Sequence, residues 1–320
     1  MPEARAQTIQ FEDGIQAIDT EYARPMQDAS HLIVDSGRAA FVDTGTNDSV
    51  PLLLDALRQQ DLDPGDVDYV FLTHVHLDHA GGAGSLMQAL PNARCVIHPR
   101  GAPHMINPEK LMRGTEAVYG VEQTHAMYGE LVPINEDRCI IAGDEQDFEL
   151  GSRTLRTLHT EGHALHHYCL HDSSSRSVFT GDSFGVSYRE FDTAAGEFIF
   201  PTSTPTHFDP VAAHESVDRI MALEPQQLFL THYSRVRDLP RLADDMHLCL
   251  DAYSEMAMAE IDSDDPYTPI YAAMCALLEA RLDAHGWRGE REVMHSLLEV
   301  DIVLNAKGLV SWLRRLNKKR

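Results

Sequence analysis

The sequence predicts an α/β fold in which helices cover the faces of a sheet, followed by a C-terminal helical appendage. Three observations carry this expectation. Residues up to about 235 alternate short β-branched runs with amphipathic helical stretches. Several of the expected strands end in a turn bearing Asp or His, where site residues tend to gather. From about Leu239 onward the periodicity is helical only. A chain of 320 residues also sits near the upper limit for one hydrophobic core, so a division into 1–238 and 239–320 is expected.

In chain order, strands are expected at 31–34, 39–43, 69–73, 94–97, 154–158, 167–170, 177–180 and 228–231. A helix is expected at 51–60, with Pro51 at an early helical position. Another is expected at 210–223, where Asp209 and Pro210 form an N-cap and first-turn pair. The helical region reads as 239–261, 269–285 and 290–307, with Asp262-Ser263-Asp264-Asp265-Pro266 breaking the first from the second. Phe71-Leu72-Thr73-His74 recurs as Phe229-Leu230-Thr231-His232, an echo that suggests two strand–turn units facing a shared site.

Composition excludes several functions. Lys and Arg total 26 against 50 Asp and Glu, a formal charge of −24 that repels phosphate backbones, so no nucleic-acid partner is expected. The one basic cluster, Arg314, Arg315, Lys318, Lys319 and Arg320, reads as a solvated helix end. No apolar run reaches the length of a membrane span, and the first residues lack the basic-then-apolar order of a signal peptide, so a cytoplasmic, reduced setting is expected. The five cysteines are scattered without a Cys-x-x-Cys pair, which argues against a disulfide framework. Histidine is the unusual count, at 18, and it points to metal chemistry.

The decisive stretch is Thr73-His74-Val75-His76-Leu77-Asp78-His79-Ala80-Gly81-Gly82, directly after an apolar strand. On an extended segment His74 and His76 point the same way and are able to grip one metal, while Asp78 and His79 turn toward a second. No Lys-Ser/Thr follows Gly81-Gly82-Ala83-Gly84, so this is not a phosphate-cradling P-loop. The glycines are expected to let the backbone pass tightly beneath the site.

This His74-x-His76-x-Asp78-His79 pattern resembles the signature of the metallo-β-lactamase superfamily, an αββα sandwich with one or two metals. The family's other motifs follow in order: Asp43 in Val-Asp-Thr-Gly, His163 in Glu-Gly-His, Asp182 in Thr-Gly-Asp and His232 in Thr-His-Tyr. The resemblance implies that His74, His76 and His163 hold one metal, that Asp78, His79 and His232 hold a second, and that Asp182 bridges them. Asp43 is implied as the group that orients a ligand histidine through its other ring nitrogen. Two divalent ions per subunit are thus expected, with Zn2+ favoured and Fe or Mn the alternatives.

The commonest antibiotic-cleaving members lack the histidine after the loop Asp and carry Cys where this chain has Asp182. The oxygen-reducing diiron branch usually has Glu at the place of His76. The ligand set is instead similar to glyoxalase II and the lactonases. The helices after the fifth motif resemble, in outline, those of the bacterial quinolone-signal thioesterase. The resemblance therefore implies a hydrolase of a small-molecule thioester or lactone, with a metal-bridging hydroxide as nucleophile and Asp78 orienting it. The other reading is a regulatory or sensing protein on the same scaffold with little turnover.

Between Asp182 and Asp209 lie Phe184, Tyr188, Phe191, Phe198, Phe200 and Phe208. Residues 188–192 and 197–200 are expected to pair as a hairpin whose inner face walls an acyl pocket, with Phe184, Tyr188 and His207 as substrate contacts. His166 and His167 read as strand-face histidines, and Cys169 as a small core residue. The helical tail has three expected roles: a lid over the metals, a buttress or a homodimer surface.

Overall fold

The alternating runs pair into two sheets in the computed structural model, which describes residues 5–203 and 207–318. Lys319 and Arg320 of the basic tail and the first four residues of the chain lie outside the described residues. The first sheet runs in sequential order through β1 (Thr8–Gln10), β2 (Ile15–Asp19), β3 (Ala29–Asp35), β4 (Arg38–Val42), β5 (Val67–Leu72), β6 (Arg94–Ile97) and β7 (Cys139–Ile141). Its strands pair antiparallel up to β4 and parallel from β4 to β7. The second comprises β8 (Gln146–Leu150), β9 (Arg153–His159), β10 (Tyr168–Asp172), β11 (Ser177–Gly181), β12 (Gln227–Leu230) and β13 (Ser234–Val236). It is laid out as β13-β12-β11-β10-β9-β8.

The parallel pairs need crossovers, and helices supply them. In chain order they are α1 (Val50–Gln59), α2 (Leu77–Ala80), α3 (Ala83–Ala89), α4 (Ala102–Ile106), α5 (Glu109–Tyr119), α6 (Val121–Tyr128), α7 (Pro210–Met221), α8 (Leu239–Ala259), α9 (Tyr267–Ala284) and α10 (Arg291–Asn317). Asp209 caps α7 as expected, its side chain accepting from the Val211 and Ala212 N–H groups. No helix among the described residues is long and apolar enough to cross a membrane.

The period-2 alternation of the strands builds two apolar layers. Leu32, Phe41 and Leu72 face the helices and pack with Leu53 and Leu57 of α1 and Leu86 of α3. Their chain neighbours Ile33, Val42 and Phe71 face the other way and pack with Leu155, Leu170 and Phe179 of the second sheet. That layering is the αββα sandwich. Every expected strand is present within two residues of its expected bounds. The strands β1, β2, β7, β8 and β13 were not anticipated.

The chain divides by its own contacts into two units, and the division is not the linear one expected. The first comprises Met1–His159, His166–Gly181 and Gln226–Arg235; the second comprises Thr160–Leu165, Asp182–Pro225 and Val236–Arg320. The helical region therefore does not stand alone. Phe191, Phe198 and Phe200 share one core with Leu250 of α8, Met274 of α9 and Leu298 of α10. At about 1.5–3 kcal/mol per buried large apolar side chain, these rings bind the segment after Asp182 to the helices. α10 also runs beyond its expected end, because Leu309 and Leu313 continue its buried stripe.

The expected hairpin at 188–200 does not form. Arg189–Phe191 is a short 3-10 turn, and the segment is closed by isolated bridges Val186–Phe200 and Thr193–Gly196. The 3-10 turn takes Arg189–Phe191 out of the extended conformation, so no continuous ladder joins the two bridges.

One buried group of the first unit sets an acid limit on stability. His31 on β3 packs edge-on against Phe179 and Phe229, each centroid 5.4 Å away, and its Nε2 lies 3.2 Å from Ser234 Oγ. Burial holds its pKa down at about 3, from 6.5. An unfolded chain takes up this proton near 6.5 and the folded chain refuses it until about 3, so stability falls as pH falls through that window. The slope is at most about 1.4 kcal/mol per pH unit. A His31→Phe protein that folds is expected to lose this part of the slope in urea unfolding compared at pH 4 and 7.

Candidate metal centre

Asp43 follows directly after β4, and its carboxylate is buried in the first unit. It accepts four donors, each at 2.8 Å: the Thr73 N–H and hydroxyl after β5, the Thr231 hydroxyl after β12, and His79 Nδ1 on α2. The single anion thus ties together the loops that carry His74, His79 and His232. Beneath them the glycine run allows close approach, as expected: Gly82 N–H reaches the Gly45 carbonyl at 2.8 Å, and a Cβ there would collide with the Thr46 carbonyl.

The hydrogen-bond partners fix which nitrogen of each ring carries the proton and which the lone pair. An ionised carboxylate only accepts, so His79 Nδ1 donates to Asp43, and the neutral ring keeps its lone pair on Nε2. His232 Nδ1 donates to the Gln27 carbonyl at 3.0 Å, with the same result. The Thr73 hydroxyl spends its one proton on Asp43, so it accepts from His74 Nδ1 at 3.3 Å, and the His74 lone pair lies on Nε2. The Nε2 atoms of His79 and His232 stand 3.8 and 3.5 Å from Asp78 Oδ2, and these three residues offer ligand atoms within 4.8 Å of one another. His74 Nε2 lies 2.8 Å from His76 Nδ1. Converging imidazole lone pairs beside a carboxylate are a donor set that suits a divalent ion of borderline softness. The residues fit a metal.

Three residues here were not anticipated. Asp28 is fully buried beside the Gln27 carbonyl, its Oδ2 accepting from the Thr20 hydroxyl at 3.2 Å. Burial pushes its carboxyl up to about 7, against the opposing pull of His232 and His79. The phenols of Tyr22 and Tyr128 share a 2.8 Å hydrogen bond, and burial together with the charge of Asp78 pushes both well above their ordinary range. His166 and His167 stand against His74, with ring centroids 6.1 and 4.9 Å away, closer to the ligand stretch than a plain strand face implies.

In the second unit His163 Nε2 lies 3.3 Å from Asp182 Oδ2, and both side chains are buried. His163 Nδ1 donates to the Thr202 carbonyl at 3.2 Å, so this ring too presents Nε2. Thr202 is fixed on both sides by one residue of α10. Asn305 Oδ1 accepts from Ser203 N–H at 2.5 Å, and its Nδ2 donates to the Pro201 carbonyl at 3.2 Å. Tyr253 of α8 donates to the same Pro201 carbonyl at 3.3 Å. Gly308, one turn beyond Asn305, leaves room for the Ser203 carbonyl, which any Cβ would strike. Asn305→Ala is expected to cost about 1–3 kcal/mol by leaving these buried groups unmade. It is also expected to weaken metal binding about 10- to 100-fold by freeing the His163 support, as judged by chelator competition on the folded variant.

The expected substrate contacts separate. Phe184 and Tyr188 are buried, and the Tyr188 hydroxyl reaches both Asp301 carboxylate oxygens at 3.2 Å. The Tyr188 ring packs in the apolar core of the second unit, edge-on to Phe200. His207 is exposed. A space of about 10 Å³, enough for one water centre, lies beside His163 and Asp182 and is lined also by Met246 and Leu250 of α8.

Residues 23–232 match the family described as the Metallo-beta-lactamase superfamily. A metallo-beta-lactamase fold-containing protein of Sulfurisphaera tokodaii, ST1585, is 29% identical over 170 residues, 52% of this chain and 60% of that protein. An atrochrysone carboxyl ACP thioesterase of Aspergillus chevalieri is 27% identical over 161 residues, 49% of this chain and 41% of its own length. The chain thus spans about half the length of these relatives. The crystal structure of ST1585 superposes with a TM-score of 0.64 at 23% identity, covering 92% of this chain and 98% of that one, which shows a shared fold.

Proposed function

Because the chain belongs to the metallo-β-lactamase superfamily, most of whose members are hydrolases, we propose that it is a binuclear metal-dependent hydrolase of a small acyl thioester or, on the same chemistry, a lactone. The observation that carries this reading is the group formed by Asp78, His79 and His232, whose two rings have their Nδ1 atoms committed and their Nε2 atoms turned toward one carboxylate. The motif order of the family adds His74, His76 and His163 as ligands of one ion and Asp182 as a bridge to the other. A divalent pair bound there, Zn2+ by preference, supplies Lewis-acid polarisation of a carbonyl and hydroxide at neutral pH.

The protein's own residues then have distinct tasks. Asp43, Gln27, Thr73 and Thr202 hold four histidine rings with Nε2 presented. In this reading Asp78, about a quarter exposed, orients the attacking oxygen and takes its proton. The resemblance to a thioesterase at 27% identity favours the thioester. The acidic composition fits a small-molecule substrate rather than nucleic acid.

The test is elemental analysis of protein purified without added metal, followed by rates on a panel of acyl thioesters and lactones, with Asp78→Ala alongside. Two ions per chain and a rate well above that of free metal are expected, both falling in Asp78→Ala. Stoichiometry that stays near one under saturating zinc contradicts the binuclear reading. Fully loaded protein no faster than the free ion contradicts the hydrolase.

A further inference from the structure

Arg100, Lys110 and Arg113 are separated in the sequence and meet only in the fold, around a cleft of about 390 Å³ within the first unit. Arg100 stands just before α4, and α5 presents Lys110 and Arg113, three residues apart and so on one side of the helix. His104 of α4 completes the wall, where burial and the charge of Lys110 hold its ring below its ordinary pKa. Among the described residues Arg100 and Lys110 have no carboxylate within ion-pairing distance. Arg113 has Glu109 at 3.8 Å, but the two side chains are 70 and 74% exposed, and such a pair is worth little.

Charge and shape say what such a cleft takes. The formal charge of −24 repels an extended polyanion, but charges are screened beyond about 8 Å at physiological ionic strength, so inside the cleft the local cations prevail. A guanidinium fork matches the oxygens of a phosphate in pairs, and a lysine adds a point charge. The position of the cleft is equally specific. The His104 ring stands edge-on to His166 at 6.4 Å, and His166 stands edge-on to His76 at 5.5 Å. His166 is itself seated on the ligand stretch, its Nδ1 accepting the Val75 N–H at 3.5 Å. Two ring contacts, all within the first unit, therefore join the cleft wall to the stretch 74–79.

We propose that this cleft binds the phosphate of the thiol carrier in a phosphate-bearing acyl thioester whose reacting carbonyl lies beside the stretch 74–79. The proposal rests on the thioester reading of the function and narrows it to one class of substrate. A pantetheine arm is about as long as four extended residues and so spans roughly 14 Å from sulfur to phosphate. That exceeds the two ring contacts laid end to end. Arg100, Lys110 and Arg113 then set specificity and take no part in bond cleavage.

The experiment compares kcat/KM of the metal-loaded full chain for one acyl group carried on pantetheine, 4′-phosphopantetheine and coenzyme A. Wild type is expected to favour the phosphopantetheine thioester over the pantetheine thioester about 10- to 100-fold, through KM, and to lose most of that preference at high salt. The variant Arg100→Gln with Lys110→Gln and Arg113→Gln changes only exposed positions. It is expected to abolish the preference while keeping its metals and its rate on the pantetheine thioester. Coenzyme A identifies the source of the phosphate: a further gain adds the nucleotide phosphates to the cleft, and an equal rate leaves the arm's phosphate alone. Turnover without a phosphate preference, or with one that the triple variant retains, overturns the cleft and leaves the hydrolase standing. Calorimetry with S-methyl 4′-phosphopantetheine, a thioether that no hydrolase cleaves, covers the other failure. If no thioester is turned over, binding that the triple variant loses keeps the phosphate site and overturns the hydrolase, whereas no binding overturns both.

Discussion

Replacing Asp43 with alanine is expected to cost about 3–5 kcal/mol of stability and, in whatever folds, to weaken metal binding about 10- to 100-fold. The size follows from how much the carboxylate holds. Its removal leaves a buried amide, two hydroxyls and the His79 ring without their acceptor. His79 is then free to turn Nδ1 inward, which spoils its donation through Nε2. Urea unfolding at pH 7 measures the first effect, and competition with a chromogenic chelator measures the second. Asp43→Asn separates them further: it keeps the shape of the side chain but presents an amide N–H to groups that themselves donate. If metal affinity in both variants matches wild type, the orienting role of Asp43 is wrong.

A larger loss is expected from ending the chain after Arg237. That cut removes Leu250, Tyr253, Met274, Leu278, Leu298 and Leu309, which share one core with Phe191, Phe198 and Phe200. Several such side chains, at about 1.5–3 kcal/mol each, exceed the whole stability of an ordinary domain. The second unit is therefore expected to lose its fixed packing, visible as loss of near-ultraviolet dichroism from its buried tyrosines and as protease cleavage within 182–225. The lid role for these helices makes the opposite forecast. A truncated protein with sharp tertiary signals, both metals and merely broader acyl selectivity would reinstate the lid and remove the buttress.

These two cases mark where sequence reasoning succeeded and where it stopped. The strand Arg94–Ile97 was legible to the residue, because a short apolar run between turn residues has few other readings. The Asp209 cap was equally local. β2 was not legible: it buries Gln16 and Asp19 along with Ile15, Ala17 and Ile18, and Asp19 tolerates burial only because it accepts from the Glu21 and Met26 amides. The ligand stretch 74–79 announces itself by density. Its supports do not, since Thr231 meets Asp43 across 188 residues and Gln27 meets His232 across 205. A carbonyl that fixes a tautomer leaves no mark on its own residue type, so neither Gln27 nor Thr202 was readable. Asn305 looked like one polar residue in a helical period.

Asn305 also bears on the order in which the protein is made. Asn305 lies 102 residues beyond Ser203 of the loop that it fixes. A ribosome adding on the order of 5–20 residues per second therefore exposes the stretch 74–79 and His163 several seconds before His163 gains its support. The nascent chain must hold its aromatic-rich segment 182–225 without its partner helices through that interval. A growing chain stalled before α10 is accordingly expected to recruit chaperones through those rings.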